Sequence, residues 1–294
     1  GDGALSGGMA YEGLNTIATL GTNAIIIIND NDQSIAKNPK GGIYTALENL
    51  RKTKGQATNN IFKALGYDYH YLEDGNHLEE LISLFKEVKD IDHPVVLHIY
   101  TEKGKGFKPA EENHEKFHAG GPFSLETGEY IKKGAVTSTY NGITSEYLTK
   151  KLKEDPLAVV INAGTPGIVF NRKLREQIGS QFIDVGIAEE QAVTMTTGLA
   201  QNGAKPVWTV LSTFLQRTYD QLSHDMALNN QAGVVLVYSA SINSMNDESH
   251  LGFFDIPFLS HIPNFVYLAP TNKEEHLAML EWAINQNEHP VAIR

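Results

Sequence analysis

An acidic Gly1-Asp2-Gly3 opens the chain, and Asn31 follows at the end of Ile28-Asn29-Asp30-Asn31. Asp2 offers a carboxylate and Asn31 an amide oxygen. Hard oxygen donors of this kind suit magnesium, which usually completes its octahedron with phosphate oxygens and water. The neighbouring glycines let the backbone approach a phosphate closely. Farther on, Phe182-Ile-Asp-Val-Gly-Ile-Ala-Glu189 runs from an apolar segment straight into a helical pattern. Glu189 therefore falls in a first helical turn, where a glutamate is favoured and can project over strand ends. Each motif alone is short enough to be an ordinary turn or helix end. In combination they favour a metal–diphosphate site served by a second α/β unit.

These residues need elements to position them. The run Ala24 to Ile28 is short, β-branched and bounded by polar residues, which predicts a buried parallel strand. A βαβ unit would bring Asp2 and Asn31 to the same sheet edge, where open α/β sheets bind ligands. Ala10, Leu14, Ile17 and Ala18 form one helix stripe, and residues 41–65 look helical with interruptions. Asn76 followed by Glu79 resembles a capping box, with Leu81, Leu84, Phe85 and Val88 on one face of the helix that follows. A strand is expected from Val95 to Tyr100. Periodicity then disappears from about Thr101 to Ser138, which reads as a long loop and linker. Beyond it, strands are expected at Ala158–Asn162, Phe182–Val185, Pro206–Val210, Val234–Tyr238 and Phe265–Leu268, and at the closing Pro290-Val-Ala-Ile-Arg294. Helices are expected at 140–153, 188–201, 213–229 and 272–286. The pattern is α/β, with mostly parallel sheets flanked by helices. It divides as 1–100, a segment 101–138, and 139–294.

Composition narrows the partners. The chain has 294 residues, 41% hydrophobic and 20% charged, enough for full globular cores. A net charge of −11 argues against nucleic acid as a partner. No cysteine is present, which excludes disulfides, thiolate nucleophiles and zinc–thiolate sites and is compatible with a reducing cytoplasm. No apolar run is long enough to span a bilayer, so no membrane partner is expected. The chain lacks an initiator Met and ends abruptly on an apparent strand, so it reads as a piece of a longer polypeptide.

The chain resembles thiamine diphosphate enzymes, and closely the 1-deoxy-D-xylulose-5-phosphate synthase family, over nearly its whole length. The resemblance lies in Gly1-Asp-Gly-Ala with Gly8-Met-Ala-Tyr-Glu, Asn29-Asp-Asn31, Lys103-Gly-Lys-Gly-Phe-Lys-Pro-Ala-Glu111, Phe117-His118, Asp184-Val-Gly-Ile-Ala-Glu189, Ser212-Thr-Phe-Leu-Gln-Arg217 and Tyr219-Asp-Gln-Leu-Ser-His-Asp225. It implies two thiamine diphosphate-binding-type domains: the later part of the diphosphate and metal domain, then a pyrimidine-binding domain. It implies Mg2+ held by the side chains of Asp2 and Asn31 and the main-chain carbonyl of Gln33. Gly3 and Ala4 would contact the diphosphate, and Asn31 the cofactor as well as the metal. Phe107 stands where the family has a cofactor-contacting tyrosine, and Phe214 would lie against the aminopyrimidine. Glu189 would hydrogen-bond the pyrimidine nitrogen and activate the cofactor. His118 and His250 match family histidines suited to proton transfer near the reacting carbonyls. Arg217 and Arg294 match arginines of the acceptor region. The implied reaction decarboxylates pyruvate and joins the two-carbon unit to an aldehyde, glyceraldehyde 3-phosphate in the family, in a homodimer.

The departures cluster on the acceptor side. Leu211 replaces a tyrosine, Ser239 an arginine that helps to hold the acceptor phosphate, and Asn246 an aspartate that contacts the acceptor. A family Asp-Gly-x-Thr-His reads Asn246-Asp-Glu-Ser-His250, a Gln-His after the key glutamate reads Glu190-Gln191, and an Asp-Gly-His reads Asp74-Gly-Asn-His77. The alternatives are a transketolase-like enzyme with another acceptor or donor, or a cofactor-binding remnant without catalysis. Lys103, Lys105 and Lys108 could steer an anion, although a solvated loop explains them equally, and His98 reads as a packing histidine.

Overall fold

Three parallel strands organise the first of two units in a computed structural model, which describes residues 1–131, 139–241 and 248–294. The first unit spans Gly1–Gly134 and the second Ala135–Arg294. In chain order the first unit contains a 3-10 turn at Asp2–Ser6, α1 (Gly8–Leu20), β1 (Ile25–Asp30), α2 (Gly42–Lys52), α3 (Ile61–Ala64), β2 (Asp68–Leu72), α4 (Leu78–Val88), β3 (Val95–Tyr100) and α5 (Lys108–Glu112). The strands lie in the order β1–β3–β2, with Ile25 opposite Val95 and Asp30 opposite Tyr100. The central strand β3 is buried along all but Tyr100. Leu47, Leu50, Phe62 and Val96 form the core on one face of the sheet, and Leu84, Val88, Val95 and Leu97 on the other.

The expected buried strand near Ala24–Ile28 forms as β1, but it lies at the edge of this sheet. Ile25 and Ile27 are therefore exposed while Ile28 is buried. The helical stretch 41–65 is two helices, separated where Gly55 turns at φ +78 and a Cβ would stand 2.7 Å from that of Tyr71. The capping box also fails: His77 is the N-cap of α4, without a side-chain bond, and Asn76 instead accepts the Glu102 amide at 2.7 Å. That bond ties the turn before α4 to the segment after β3. The segment after Thr101 is not featureless. It includes α5 and a cluster of Phe107, Phe117 and Phe123 with ring centroids 5.0–5.5 Å apart.

The second unit runs α6 (Tyr140–Glu154), β4 (Ala158–Asn162), α7 (Arg172–Ile178), β5 (Phe182–Asp184), α8 (Glu189–Gln201), β6 (Lys205–Leu211), α9 (Ser212–Leu215), β7 (Val234–Tyr238), α10 (Asp255–Ser260), β8 (Val266–Leu268), α11 (Lys273–Asn285) and β9 (Val291–Ile293). Its six strands are parallel in the order β5–β4–β6–β7–β9–β8. Leu148 of α6 and Leu280 of α11 pack with Val160 and Val207 in one layer, and Val193 of α8 packs with Trp208 and Val235 in the other. The chain reverses direction across the sheet at β4, and such switch points open ligand crevices at the carboxyl ends of strands. The helix expected over 213–229 is broken into α9, a 3-10 turn at Gln216–Thr218 and a π-helical segment at Gln221–Ala227. Among the described residues no helix is long and apolar enough to cross a membrane.

Candidate functional site

In the first unit, Asp2 and Asn31 meet at the carboxyl end of β1. Asp2 is buried, and its carboxylate accepts the Asn38 side-chain amide at 2.5 Å and the Asn31 backbone N–H. Burial pushes this carboxyl above the usual range, and neighbouring Asp30 pushes it further, against the two amide bonds. A buried carboxylate with neutral partners and a second carboxylate nearby is an environment that a divalent cation would relieve. Among the described residues no three His, Asp or Glu side chains form a metal cluster. The donor set Asp2, Asn31 amide and Gln33 carbonyl holds a single carboxylate, the pattern of magnesium sites completed by phosphate oxygens. These residues fit the ion.

The surrounding loop is tightly held. Asn31 Oδ1 accepts the Gln33 amide at 3.1 Å, and Gln33 bridges to Lys37. Gly3 and Ala4 lie in the 3-10 turn that follows Gly1, with the Gly3 carbonyl accepting from Ser6 Oγ at 2.9 Å and Tyr44 Oη at 3.2 Å. Lys103, placed just after β3, donates to the Ser34 carbonyl at 2.5 Å and bonds His118 Nδ1 at 2.8 Å. The structure thus links His118 to the loop bearing Asn31 and Gln33. Phe107 heads α5 and packs edge-on against Phe117. Burial, reinforced by Lys103, holds the His118 imidazole below its ordinary value, and burial lowers the Lys103 ammonium against the pull of Asp2. Burial and the Lys103 charge both favour the neutral imidazole form of His118 over the protonated one. Lys103→Gln is expected to move the His118 titration partway back up, leaving the part due to burial. Histidine proton NMR across pH reads this, and an unmoved titration would show that the ammonium has no hold on the ring.

In the second unit a contiguous set forms around Glu189. Its place at the start of α8 buries it almost completely, at 2% exposure, and burial raises its carboxyl above the ordinary range despite its own amide and Arg217. Arg217 Nη1 donates to Glu189 Oε2 at 3.0 Å, and its guanidinium lies 5.7 Å from the Phe214 ring centroid. Phe214 in turn meets the His250 ring at 5.4 Å, and Ser249 beside it bonds His250 Nδ1 at 2.7 Å. Thr213 Oγ1 donates to the Ser249 carbonyl at 3.1 Å, fastening this segment to α9. Glu189, Arg217, Phe214 and His250 are thereby neighbours. The broken helix matters here, since its 3-10 turn carries Arg217.

Arg294 lies at the carboxyl end of β9, where it bonds Asp255 through Nε at 2.7 Å and the Ala240 carbonyl through Nη2 at 2.8 Å. With Ser239, Tyr238, Thr144 and His276 it lines a cavity of about 540 Å3. Ser239 adopts φ +52, and Gly252 approaches so closely that a Cβ there would meet the Ser239 carbonyl at 1.7 Å. Leu211 ends β6 immediately before α9, and Asn246 lies outside the described residues. The sequence does not single out Arg51, and it marks Lys103 only as one of three lysines that could steer an anion. Lys103 sits in a lysine-rich stretch that looks solvated, and Arg51 in an ordinary helix, so only their non-local partners distinguish them.

Residues 137–294 match the family model described as transketolase, pyrimidine binding domain, and residues 1–59 and 48–101 match that of 1-deoxy-D-xylulose-5-phosphate synthase. The 1-deoxy-D-xylulose-5-phosphate synthase of Listeria monocytogenes serotype 4b is 39% identical over 301 aligned residues, covering 100% of this chain and 49% of its own. That of Clostridium acetobutylicum is 40% identical, covering 100% of this chain and 52% of its own. A solved transketolase from Leishmania mexicana aligns with 100% of this chain and 54% of its own, at 14% identity and a TM-score of 0.48. The chain spans about half the length of the curated relatives it matches.

Proposed function

Because this chain belongs to the 1-deoxy-D-xylulose-5-phosphate synthase family, with a transketolase-type pyrimidine-binding domain over residues 137–294, we propose that it serves a thiamine diphosphate- and Mg2+-dependent transferase. The substrates are pyruvate and an aldehyde, and the assembly is a homodimer in the cytoplasm. The observation that carries this reading is Glu189: a buried carboxyl with a raised proton affinity, beside Phe214, Arg217 and His250. Bound thiamine diphosphate supplies an electron sink for the carbon left when pyruvate loses carbon dioxide. The chain's own residues do the rest. Glu189 would hydrogen-bond the pyrimidine nitrogen, Phe214 would lie against that ring, and Asp2, Asn31 and Gln33 would hold the metal while Gly3 and Ala4 would meet the diphosphate. Phe107 borders the cofactor through its ring. His118 and His250 move protons at the substrate carbonyls, and Arg217 and Arg294 face the acceptor.

A second reading concerns which aldehyde is used. Ser239 brings no charge to the cavity it shares with Arg294, and Arg294 is already paired with Asp255. An acceptor phosphate there loses one charge-assisted contact of about 1.5–3 kcal/mol, or about ten- to hundredfold in specificity. Pyruvate decarboxylation is therefore expected to persist while glyceraldehyde 3-phosphate is a poor acceptor relative to an unphosphorylated aldehyde. Measuring kcat/KM for both kinds of aldehyde, with Ser239→Arg alongside, tests the whole proposal. If the wild type prefers glyceraldehyde 3-phosphate and Ser239→Arg adds nothing, the acceptor is the family's own. Failure to decarboxylate pyruvate at all, with cofactor and Mg2+ supplied, would overturn the transferase reading.

A further inference from the structure

Arg51 lies on α2 and touches none of the residues assigned to the cofactor, yet it grips the loop that carries them on both sides. Its Nη1 donates to both carboxylate oxygens of Asp30, at 2.8 and 2.6 Å, and its Nη2 pairs with Asp32 at 3.2 Å. Asn31 is the residue between the two aspartates. The Asp30 side chain is fully buried and that of Arg51 nearly so, which keeps the pair from solvent screening. From the opposite side His98 Nε2 lies 2.8 Å from Asp30 Oδ2, and the Tyr69 hydroxyl bonds His98 Nδ1 at 2.7 Å. His98 is thus the expected packing residue, fully buried against the Tyr69 and Tyr71 rings, and a strut as well.

The loop held in this way is not a relaxed one. Asp32 has φ +58, a left-handed conformation that costs a non-glycine residue energy. Its amide donates to Asp30 Oδ1 at 3.1 Å, and the Gln33 amide donates to Asn31 Oδ1 at the same distance. A planar guanidinium can serve two carboxylates at once, whereas a lysine ammonium is a single point charge. Lys37 also lies 3.6 Å from Asp32, so the two aspartates balance the two cations and the grip adds no net positive charge beside the loop.

We propose that Arg51 is a positioning residue for the divalent cation: by bridging Asp30 and Asp32 it holds Asn31 and Gln33 in a metal-ready loop. The inference rests on the reading of Asp2, Asn31 and Gln33 as the metal set. Its physical effect is preorganisation, since a loop already ordered does not lose conformational freedom when the ion arrives.

The test is calorimetric titration of the full chain with thiamine diphosphate at a series of fixed Mg2+ concentrations, with thermal melting alongside. Arg51→Met is expected to raise the Mg2+ concentration for half-maximal cofactor binding at least about tenfold, and Arg51→Lys by less. Arg51→Met leaves Asp30 buried beside His98 alone and can fail to fold. Asp32→Asn therefore decides the matter, because it removes one strut, tolerates the left-handed backbone and leaves Asp30 paired. It is expected to raise the Mg2+ midpoint several-fold with an unchanged melting temperature, and saturating Mg2+ is expected to restore wild-type binding. An unchanged midpoint in Asp32→Asn, or a weakened one that Mg2+ does not rescue, overturns the clamp. A wild type that binds the cofactor independently of Mg2+, or not at all, overturns the metal reading beneath it.

Discussion

Glu189→Gln is expected to slow deuterium exchange at the thiazolium C2 carbon of bound thiamine diphosphate by about 10²- to 10⁴-fold while the cofactor stays bound. Glutamine keeps the size and hydrogen-bonding reach of the side chain but cannot take or return a proton. The same substitution has a second, opposite consequence. Burial raises the Glu189 carboxyl above its unfolded value, so the folded state binds that proton more tightly than the unfolded one. The stability this contributes is complete below the unfolded pKa and is lost as pH rises through the raised folded pKa. Above that window wild type keeps a buried carboxylate whose basic partner among the described residues, Arg217, is about half exposed and therefore a weak compensation. Glu189→Gln should thus melt at or above the wild-type temperature at pH 8, an advantage that shrinks toward pH 4. Thermal melts across pH and NMR exchange rates read the two effects separately. Wild-type exchange in the folded variant would reduce Glu189 to a helix-end residue.

Asp2→Ala is expected to weaken Mg2+-dependent binding of thiamine diphosphate by about a hundredfold or more, and Asn31→Ala by a comparable factor. Loss of residues that merely orient metal ligands already costs about 10- to 100-fold, and a direct ligand contributes more. Asp2 is the sole carboxylate of the proposed donor set, so its removal takes the only full charge out of that set. It also leaves the Asn38 amide without the carboxylate it bonds at 2.5 Å, as Asn31→Ala leaves the Gln33 amide without its side-chain acceptor, so melting temperatures are followed for both variants. Calorimetry at saturating Mg2+ separates binding from folding. Unchanged affinity in both variants would remove Asp2 and Asn31 from the metal site.

The central strands were legible in the sequence because both of their faces are covered. Val95–Tyr100, Ala158–Asn162 and Val234–Tyr238 read as apolar runs, interrupted by His98 in the first and ended by Asn162 in the second, and the structure forms them at those boundaries. The strand β2 is not expected from the sequence: Asp68-Tyr-His-Tyr-Leu72 is half-buried throughout, and its polar–aromatic alternation spans too few residues and only one aliphatic side chain. Short α7 and α10 carry too few turns to show a period. Edge position is likewise invisible locally, so Ile25 and Ile27 looked like core and lie exposed.

What the sequence determined by itself is a set of residue types and the α/β order of the elements around them: a glycine-flanked aspartate, an asparagine after a strand, a glutamate at a strand-to-helix junction. These are written in consecutive residues, and local periodicity and turn chemistry suffice to read them. Their partners are not. That Arg51 grips Asp30 and Asp32, that Lys103 joins Ser34 to His118, and that Arg217 reaches Glu189 depends on contacts between residues 15 to 69 positions apart. Such contacts exist only once parallel strands and their crossovers are in register. Tertiary structure also decided the protonation behaviour of Asp2, Glu189 and His118, because each shift begins with burial, and burial is a property of the packed fold rather than of neighbouring letters.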